Sequence, residues 1–303
     1  MRLNADLILK LEYNQMKKIH ILFILSILFV QGLFSQQISS TSPENMQIGV
    51  VASKKIVLDT CLFNVQYRVF SVNDVQRLEE KKNYFMLLQI GRKMSKFSDY
   101  HRLVTDSLEE VHAEQKMSMI ESMNRRMPLM KGSTPLNVFK DYPTGKITVT
   151  DRVPLSGSYK YVEEKENPLW RLESGSLTVC GYKCNKAATT FHGRSYIAWY
   201  TPEIAVSEGP WKFWGLPGLI LKVEDDKGHY SFECVAIEKS YQITPIYILD
   251  RSYVNTTKAK LDQALRNFNE NPSANVINSG FIQGELPPNA YRARPYNPIE
   301  LSE

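Results

Sequence analysis

The sequence predicts an α+β fold in which a strongly curved, half-barrel-like antiparallel β-sheet packs on one long helix. Short stretches of alternating apolar and polar residues recur after residue 145, separated by Gly, Pro and Ser, as in an antiparallel meander. An apolar spacing of about 3.6 residues over 99–127 predicts the long helix. The same spacing over 257–269 predicts a short C-terminal helix, and the prolines from Pro287 onward predict an extended tail.

The clearest pair of predicted strands forms a hairpin. Residues 219–224 alternate between two faces, 225–228 carry a turn signal, and 229–238 alternate again. Two alternating runs joined by a short polar turn are typical of an antiparallel hairpin.

The amino terminus has the features of an export signal. Lys17 and Lys18 precede a nearly continuous apolar run over 19–34, and Ser35 follows that run. A basic segment, an apolar core and a small residue at its end predict a signal peptide over 1–35, which is cleaved from a periplasmic or secreted protein. The alternative is a retained membrane anchor, but the run is shorter than the roughly 20 residues that span a bilayer. We therefore expect no transmembrane segment after cleavage.

Met16 lies directly before the two lysines, so it is the expected start of translation. The alternative is an unusually long amino-terminal segment that begins at Met1. After the cleavage site, the polar residues 36–53 are predicted to form a flexible leader.

The mature chain carries little net charge. Four of the 37 basic residues and two of the 32 acidic residues lie in the predicted signal peptide, which leaves a formal charge of +3. Such a weak excess does not favour nucleic acid or an anionic membrane surface as a partner.

The chain has four cysteines, and all of them are candidates for disulfide bonds: Cys61, Cys180, Cys184 and Cys234. An even number of cysteines in an exported chain favours two disulfides, and four cysteines allow three pairings. On a continuous strand Cys180 and Cys184 lie about 13 Å apart, so they pair only if Gly181 bends the chain. The spacing of these two residues also suggests a metal site, but no other His or Cys pair completes one, and we expect no metal or cofactor.

An aromatic segment with one lysine is the candidate site for a ligand or a partner. Its members are Trp199, Tyr200, Trp211, Lys212, Phe213 and Trp214. One interpretation is structural, with the rings filling the end of the sheet and supporting a Gly-Pro loop. The other is functional, with the rings forming the rim of an apolar pocket or a docking patch.

The loop continues into six residues that spell a recognisable motif: Gly215, Leu216, Pro217, Gly218, Leu219 and Ile220. Together with blocks at 95–97, 181–187, 193–204, 209–213 and 297–301, this motif resembles the GLPGLI family of exported bacterial proteins. The resemblance spans roughly 54–303 and implies a single domain there. It implies an exported location and an architecture, but it brings no catalytic residue.

The sequence lacks the Gly-rich phosphate loop, the zinc-protease helix motif, the serine-hydrolase elbow and the calcium-loop spacing. We therefore expect a non-enzymatic envelope protein that binds an apolar ligand or an envelope protein partner through its curved sheet and aromatic loop. One alternative is a secreted hydrolase that uses His192 or His229 as its base. Another is a structural component of a secretion or receptor assembly.

Overall fold

The computed structural model of the protein describes residues 49–278 and 288–301. These residues belong to one compact unit, Met46–Glu303. The predicted signal peptide lies outside the described residues, as does the leader up to residue 48. Among the helices that the structure describes, none is both long enough and apolar enough to cross a membrane.

Within these ranges, twelve strands form one sheet. Their bounds are Lys55–Val72 (β1), Lys81–Ile90 (β2), Ser95–Asp99 (β3), Asn137–Lys140 (β4), Lys146–Val153 (β5), Gly157–Glu164 (β6), Arg171–Val179 (β7), Tyr182–Phe191 (β8), Arg194–Thr201 (β9), Leu219–Asp225 (β10), Tyr230–Leu249 (β11) and Val254–Asn255 (β12). The strand order is β12-β6-β5-β4-β3-β2-β1-β11-β10-β9-β8-β7. Each pair of neighbours is antiparallel except β12 and β6, which run parallel.

Two pairs of helices accompany the sheet. Tyr100–Glu114 (α1) and Met119–Met130 (α2) lie between β3 and β4 in the chain, and Lys258–Glu270 (α3) and Pro272–Asn278 (α4) follow β12. A short 3-10 turn at Pro288–Tyr291 precedes the final residues.

The predicted fold class is therefore wrong. In place of an antiparallel half-barrel there is an open mixed sheet, whose outer strands are β12 and β7. The central pair, β1 and β11, joins residues almost two hundred positions apart, such as Lys55 and Leu249. Local alternation of apolar residues reports that a strand exists, but it carries no information on such distant partners.

The prediction of one long helix is also wrong, because two helices occupy that part of the chain. Lys116 has a φ of 54°, which a right-handed helix cannot accommodate. The Ser118 side chain then accepts a hydrogen bond from the Glu121 backbone N–H and begins α2. Ser and Glu at this spacing match a capping box, a start signal that the apolar periodicity masked. Met119 and Met123 on α2 are 48% and 41% exposed, so this face is not packed on the sheet.

The hairpin prediction is confirmed, since Val223 on β10 pairs with Phe232 on β11. The second strand is much longer than predicted and reaches Leu249. The apolar face of the C-terminal helix is also confirmed: Leu261 on α3 is buried in the main hydrophobic cluster, and Leu265 and nearby residues pack against it.

The two faces of the sheet carry separate cores. Phe97 pairs with Val138 and Lys96 pairs with Phe139, so alternate residues of β3 and β4 point to opposite faces. Phe97 and Val138 belong to the main cluster, which α3 and the loop after β9 cover, whereas Phe139 belongs to a smaller cluster with Ile246. The candidate site is built on the face of the main cluster.

Candidate functional site

The aromatic loop between β9 and β10 folds back into the main cluster. Trp211 and Phe213 are 2% and 0% exposed, and their ring centroids lie 5.1 Å apart. Phe213 also meets Tyr196 on β9 edge to face at 4.8 Å. Such ring pairs stabilise a core beyond the area that they bury. The loop is thus anchored by its own side chains rather than extended into solvent.

The backbone of the motif packs as closely as its aromatic side chains. Gly218 has a φ of 145°, and a Cβ atom built there would lie 2.1 Å from the carbonyl oxygen of Thr201. At Gly209 a Cβ atom would lie 2.9 Å from the Ile220 side chain. Only glycine permits this close approach, which explains the residue type at both positions. The Tyr67 hydroxyl donates to the Ile220 carbonyl at 2.6 Å and holds the strand that follows.

A buried lysine forms hydrogen bonds with the backbone of the aromatic loop. Lys140, at the end of β4, donates from Nζ to the carbonyl oxygens of Gly209 (2.7 Å) and Phe213 (3.0 Å) and forms an ion pair with Glu208. Burial lowers the pKa of Lys140, and the Glu208 carboxylate opposes that shift. The role of Lys140 was not predicted from the sequence. Its only local signal is a lysine directly after the apolar pair Val138 and Phe139.

The end of the chain is bound to the same region by Arg194 on β9. We call residues 296–301 the C-terminal strap. The Arg194 guanidinium donates to the Ile299 carbonyl (2.9 Å), the Pro298 carbonyl (2.7 Å) and the Asn297 side chain (2.7 Å). Its remaining Nη1 pairs with the buried Asp225 carboxylate at 3.0 Å. Three acceptors in consecutive residues fix the strap in one position.

Lys212 in the aromatic loop forms the second attachment of the strap. Its Nζ lies 2.6 Å from Glu300 Oε1 and 2.5 Å from Glu163 Oε1, and the lysine is 1% exposed. Burial raises the pKa of Glu163, whereas the Lys212 charge lowers it. The His192 ring adds a weaker contact, with Nδ1 3.5 Å from Glu300 Oε2. The loop and the strap therefore share one buried ionic cluster.

A cavity of about 380 Å³ lies between the main-cluster face of the sheet, α3 and the strap. Most of its wall is apolar or aromatic, with side chains that include Phe97, Leu136, Val149, Trp211, Leu265 and Phe268. Asp151 on β5 contributes a carboxyl group to the wall. Burial raises the pKa of Asp151 to about 6, because the charged form is poorly solvated there.

The predicted binding residues occupy different positions relative to this cavity. Trp211 and Lys212 line it, but Tyr200, Phe213 and Trp199 are not among its lining residues. Tyr200 and Phe213 are buried in the main cluster, and Trp199 is half-buried against it.

Trp214 lies outside the cavity wall, at the outer side of the loop. Its Nε1 donates to the Glu166 carbonyl at 2.8 Å, and Lys165 Nζ lies 4.1 Å from its ring centroid. The Trp170 indole in turn donates to the Trp214 carbonyl at 2.7 Å. Trp214 therefore joins the loop to the segment between β6 and β7.

The two candidate bases lie on either side of Arg194. His192 contacts Glu300, and the ring centroid of His192 lies 4.0 Å from that of Phe191. His229 Nδ1 lies 3.2 Å from Arg194 Nη1. Within the described part of the chain, neither imidazole hydrogen-bonds to a serine, threonine or cysteine side chain.

All four cysteines lie in the described residues and are present as free thiols. Cys61, Cys184 and Cys234 are buried, and Cys180 is exposed in the turn between β7 and β8. Burial raises the pKa of Cys234, and a hydrogen bond with the Cys180 side chain raises it further. Cys180 thus lies beside Cys234, and the turn at Gly181 does not pair Cys180 with Cys184.

Comparison with known proteins gives a match to a family model in sequence and several matches in structure. Residues 191–222 match the model of a family described as a protein of unknown function, Porph_ging. This segment of the chain contains β9, the aromatic loop and the motif. That description does not carry the name GLPGLI, so what is established is the resemblance of these 32 residues to a family of unknown function. No curated protein matches the chain.

Two of the similar solved structures are crystal forms of PNGF-II, in space groups C2 and P21. Each is 12% identical to this chain, and each match covers 69% of this chain, with TM-scores of 0.42 and 0.41. The chain spans 33% of the PNGF-II chain in both cases.

Proposed function

We propose that this protein is exported and binds an apolar small molecule in the cavity between the sheet, α3 and the C-terminal strap. The observation that carries the proposal is the cavity itself. Its volume of about 380 Å³ falls in the range of small-molecule pockets, which are mostly apolar with a few polar groups. Leaving such a space unfilled lowers stability, because the groups that line it lose packing contacts.

The charges around the cavity support binding of a neutral, apolar body. Lys212 is neutralised by Glu163 and Glu300, so it offers no free cation to a ligand. Asp151 faces the same space, and burial raises its pKa to about 6. We therefore expect Phe97, Leu265 and their neighbours to supply the binding energy.

The test is to fill the cavity without removing an existing contact. Leu136→Trp adds an indole at a half-buried position of the wall. We expect it to weaken binding of the neutral fluorophore N-phenylnaphthylamine at least about tenfold, since the added ring occupies the ligand volume. Fluorescence titration of the purified mature protein measures this change.

The matched control is Leu172→Trp on β7, where the leucine is 61% exposed. This variant adds the same indole far from the cavity and should bind the fluorophore as the parent protein does. Equal binding by both variants, or no saturable binding by the parent, would contradict the proposal. Native mass spectrometry of protein purified from its host then identifies the natural ligand.

We further propose that export allows one disulfide, between Cys180 and Cys234. The two thiols are neighbours, whereas Cys61 and Cys184 are buried and hydrogen-bond to the carbonyls of Phe63 and Tyr182. Peptide mapping of the exported protein without reduction should show the Cys180–Cys234 bridge and alkylation of the other two cysteines after unfolding. The same map should begin at residue 36. Four alkylated cysteines, or a bridge that contains Cys61, would overturn this pairing.

A further inference from the structure

A second, smaller cavity of about 80 Å³ lies on the opposite face of the sheet, between β3, β4, β5, α1 and the end of β11. Basic side chains dominate its charged groups: Lys96, Arg102, Arg152 and Arg251. We infer that this cavity is an anion site, which binds a tetrahedral oxyanion such as a phosphoryl or sulfuryl group. The inference stands independently of the apolar ligand, because it rests on a different cavity.

Lys96 is the innermost of these cations. It is 3% exposed, and its Nζ donates to the Tyr247 carbonyl at 3.0 Å. The ammonium group also lies 4.3 Å from the centroid of the Tyr247 ring and 5.4 Å from that of Phe139. Its other two protons have no acceptor in the described residues. A buried ammonium group with two free donors is an incomplete arrangement, which an anion in the cavity completes.

The other buried cations of the described residues each have a carboxylate partner, which Lys96 lacks. Among the described residues, Lys140 pairs with Glu208, Arg194 pairs with Asp225, and Lys212 pairs with two glutamates. Lys96 is equally buried, but no described carboxylate lies within 4.0 Å of it. Among the buried cations of the described residues, Lys96 is therefore the one without a carboxylate counterion within 4.0 Å.

Three guanidinium groups add to the positive field. Arg102 on α1 donates from Nε to Ser133 Oγ at 3.0 Å, and Arg152 and Arg251 are exposed at the mouth of the cavity. In the part of the chain that the structure describes, none of the three forms an ion pair. Guanidinium groups repel one another unless an anion lies between them, and their planar donors suit phosphoryl oxygens.

The carboxylates of the cavity do not cancel this charge. Asp106 accepts a hydrogen bond from the Tyr247 hydroxyl at 2.9 Å, and burial raises its pKa. Asp151 on β5 lines both this cavity and the larger one, as does Arg152. Four cations thus line the cavity together with two acidic groups, Asp106 and Asp151, both of which have raised pKa values.

The size of the cavity limits the ligand. The volume of about 80 Å³ is well below the roughly 300 Å³ of the smaller pockets that hold drug-sized molecules, so it suits a small ion such as one tetrahedral oxyanion. Asn137, Thr150 and Ser158 line the same space and provide neutral hydrogen-bonding groups around it. The exposed arginines at the mouth leave room for a substituent on the anion to extend into solvent.

The test measures binding of inorganic phosphate, sulfate and phenyl phosphate to the full mature protein by calorimetry, with chloride as the ionic-strength control. We expect saturable binding of at least one of the three. Lys96→Met should abolish it, and Arg251→Gln should weaken it about tenfold, because one charge-assisted contact is lost. The methionine keeps the length of the side chain and removes an unpaired buried charge, so the variant should fold.

Arg92→Gln is the matched control, since Arg92 is also an exposed arginine without a described ion pair but lies away from the cavity. It should bind as the parent protein does. Preference for phenyl phosphate indicates an esterified ligand, and preference for inorganic phosphate or sulfate indicates the free anion; either supports the inference. No saturable binding, or equal binding by Lys96→Met and the parent protein, would overturn it. If Lys96→Met fails to fold, Arg251→Gln against Arg92→Gln decides the question.

Discussion

Replacement of Arg194 by methionine is expected to release the C-terminal strap and lower the free energy of unfolding by about 3–5 kcal/mol. The variant leaves the Asp225 carboxylate, which is 0% exposed, without its cation. It also removes the donors to Asn297, Pro298 and Ile299. Loss of one partner from a buried ion pair is costly, because the remaining charge stays unsolvated.

Denaturant unfolding measures the loss, and hydrogen exchange of the Leu301 amide reports release of the strap, since this amide donates to the His192 carbonyl at 2.8 Å. Adding Asp225→Asn to Arg194→Met should recover part of the stability, because the unpaired charge is gone, while the Leu301 amide still exchanges fast. Slow exchange at Leu301 in Arg194→Met would show that Lys212 alone holds the strap. Arg92→Met, an exposed control, should change stability by less than about 0.5 kcal/mol.

Replacement of Gly218 by alanine is expected to lower the free energy of unfolding by more than about 4 kcal/mol. The new Cβ would lie 2.1 Å from the Thr201 carbonyl oxygen and 2.6 Å from its carbon. Both contacts are with backbone, so no side-chain rotation relieves them. The backbone φ of 145° is also one that alanine rarely adopts.

Gly228→Ala separates the cost of the steric clash from the cost of the positive φ. Gly228 has a φ of 66° in the turn between β10 and β11, and nothing lies within 4 Å of a Cβ built there. Its cost should be about 1–2 kcal/mol, from backbone conformation alone. Thermal or denaturant unfolding of both variants gives the comparison. A Gly218→Ala variant no less stable than Gly228→Ala would mean that the loop does not approach β9 as described.

Both substitutions affect the same part of the structure, where the aromatic loop and the C-terminal strap meet β9. Arg194 and Gly218 both lie within residues 191–222, the segment that matches a known family. Arg194 holds the C-terminal strap, and Gly218 lets the loop pack against β9. Lys212, between them in the chain, joins loop and strap through Glu300. The segment therefore builds one wall of the proposed ligand cavity and fastens the strap that closes it.

Several local features could be predicted from the sequence. The hairpin of β10 and β11 and the apolar face of α3 both depend on neighbours within a few residues. Propensity and periodicity act over the same distance, so the pattern reports them directly. The end of α1 was missed for the opposite reason, since the capping box at Ser118 lies inside a continuing apolar pattern.

The buried charges could not be predicted, because each depends on a partner far along the chain. Lys212 and Glu300 are 88 residues apart, and Arg194 and Asp225 are 31 apart. By itself a lysine in a sequence indicates a solvated side chain, since burial without a partner is too costly. Only the folded chain shows that Lys212 has carboxylate partners, whereas Lys96 has none within 4.0 Å among the described residues.

The sequence by itself determined the positions of the hairpin and of the C-terminal helix, and it predicted export and the importance of the aromatic loop. The tertiary structure decided the strand order, the parallel pair at β12 and β6, and the division of the predicted long helix. It also decided that Trp211 lines a cavity while Trp214 lies outside it. The physical reason is that strand partners, ion pairs and cavities are made by residues distant in the chain, whereas a sequence pattern reports only on its neighbours.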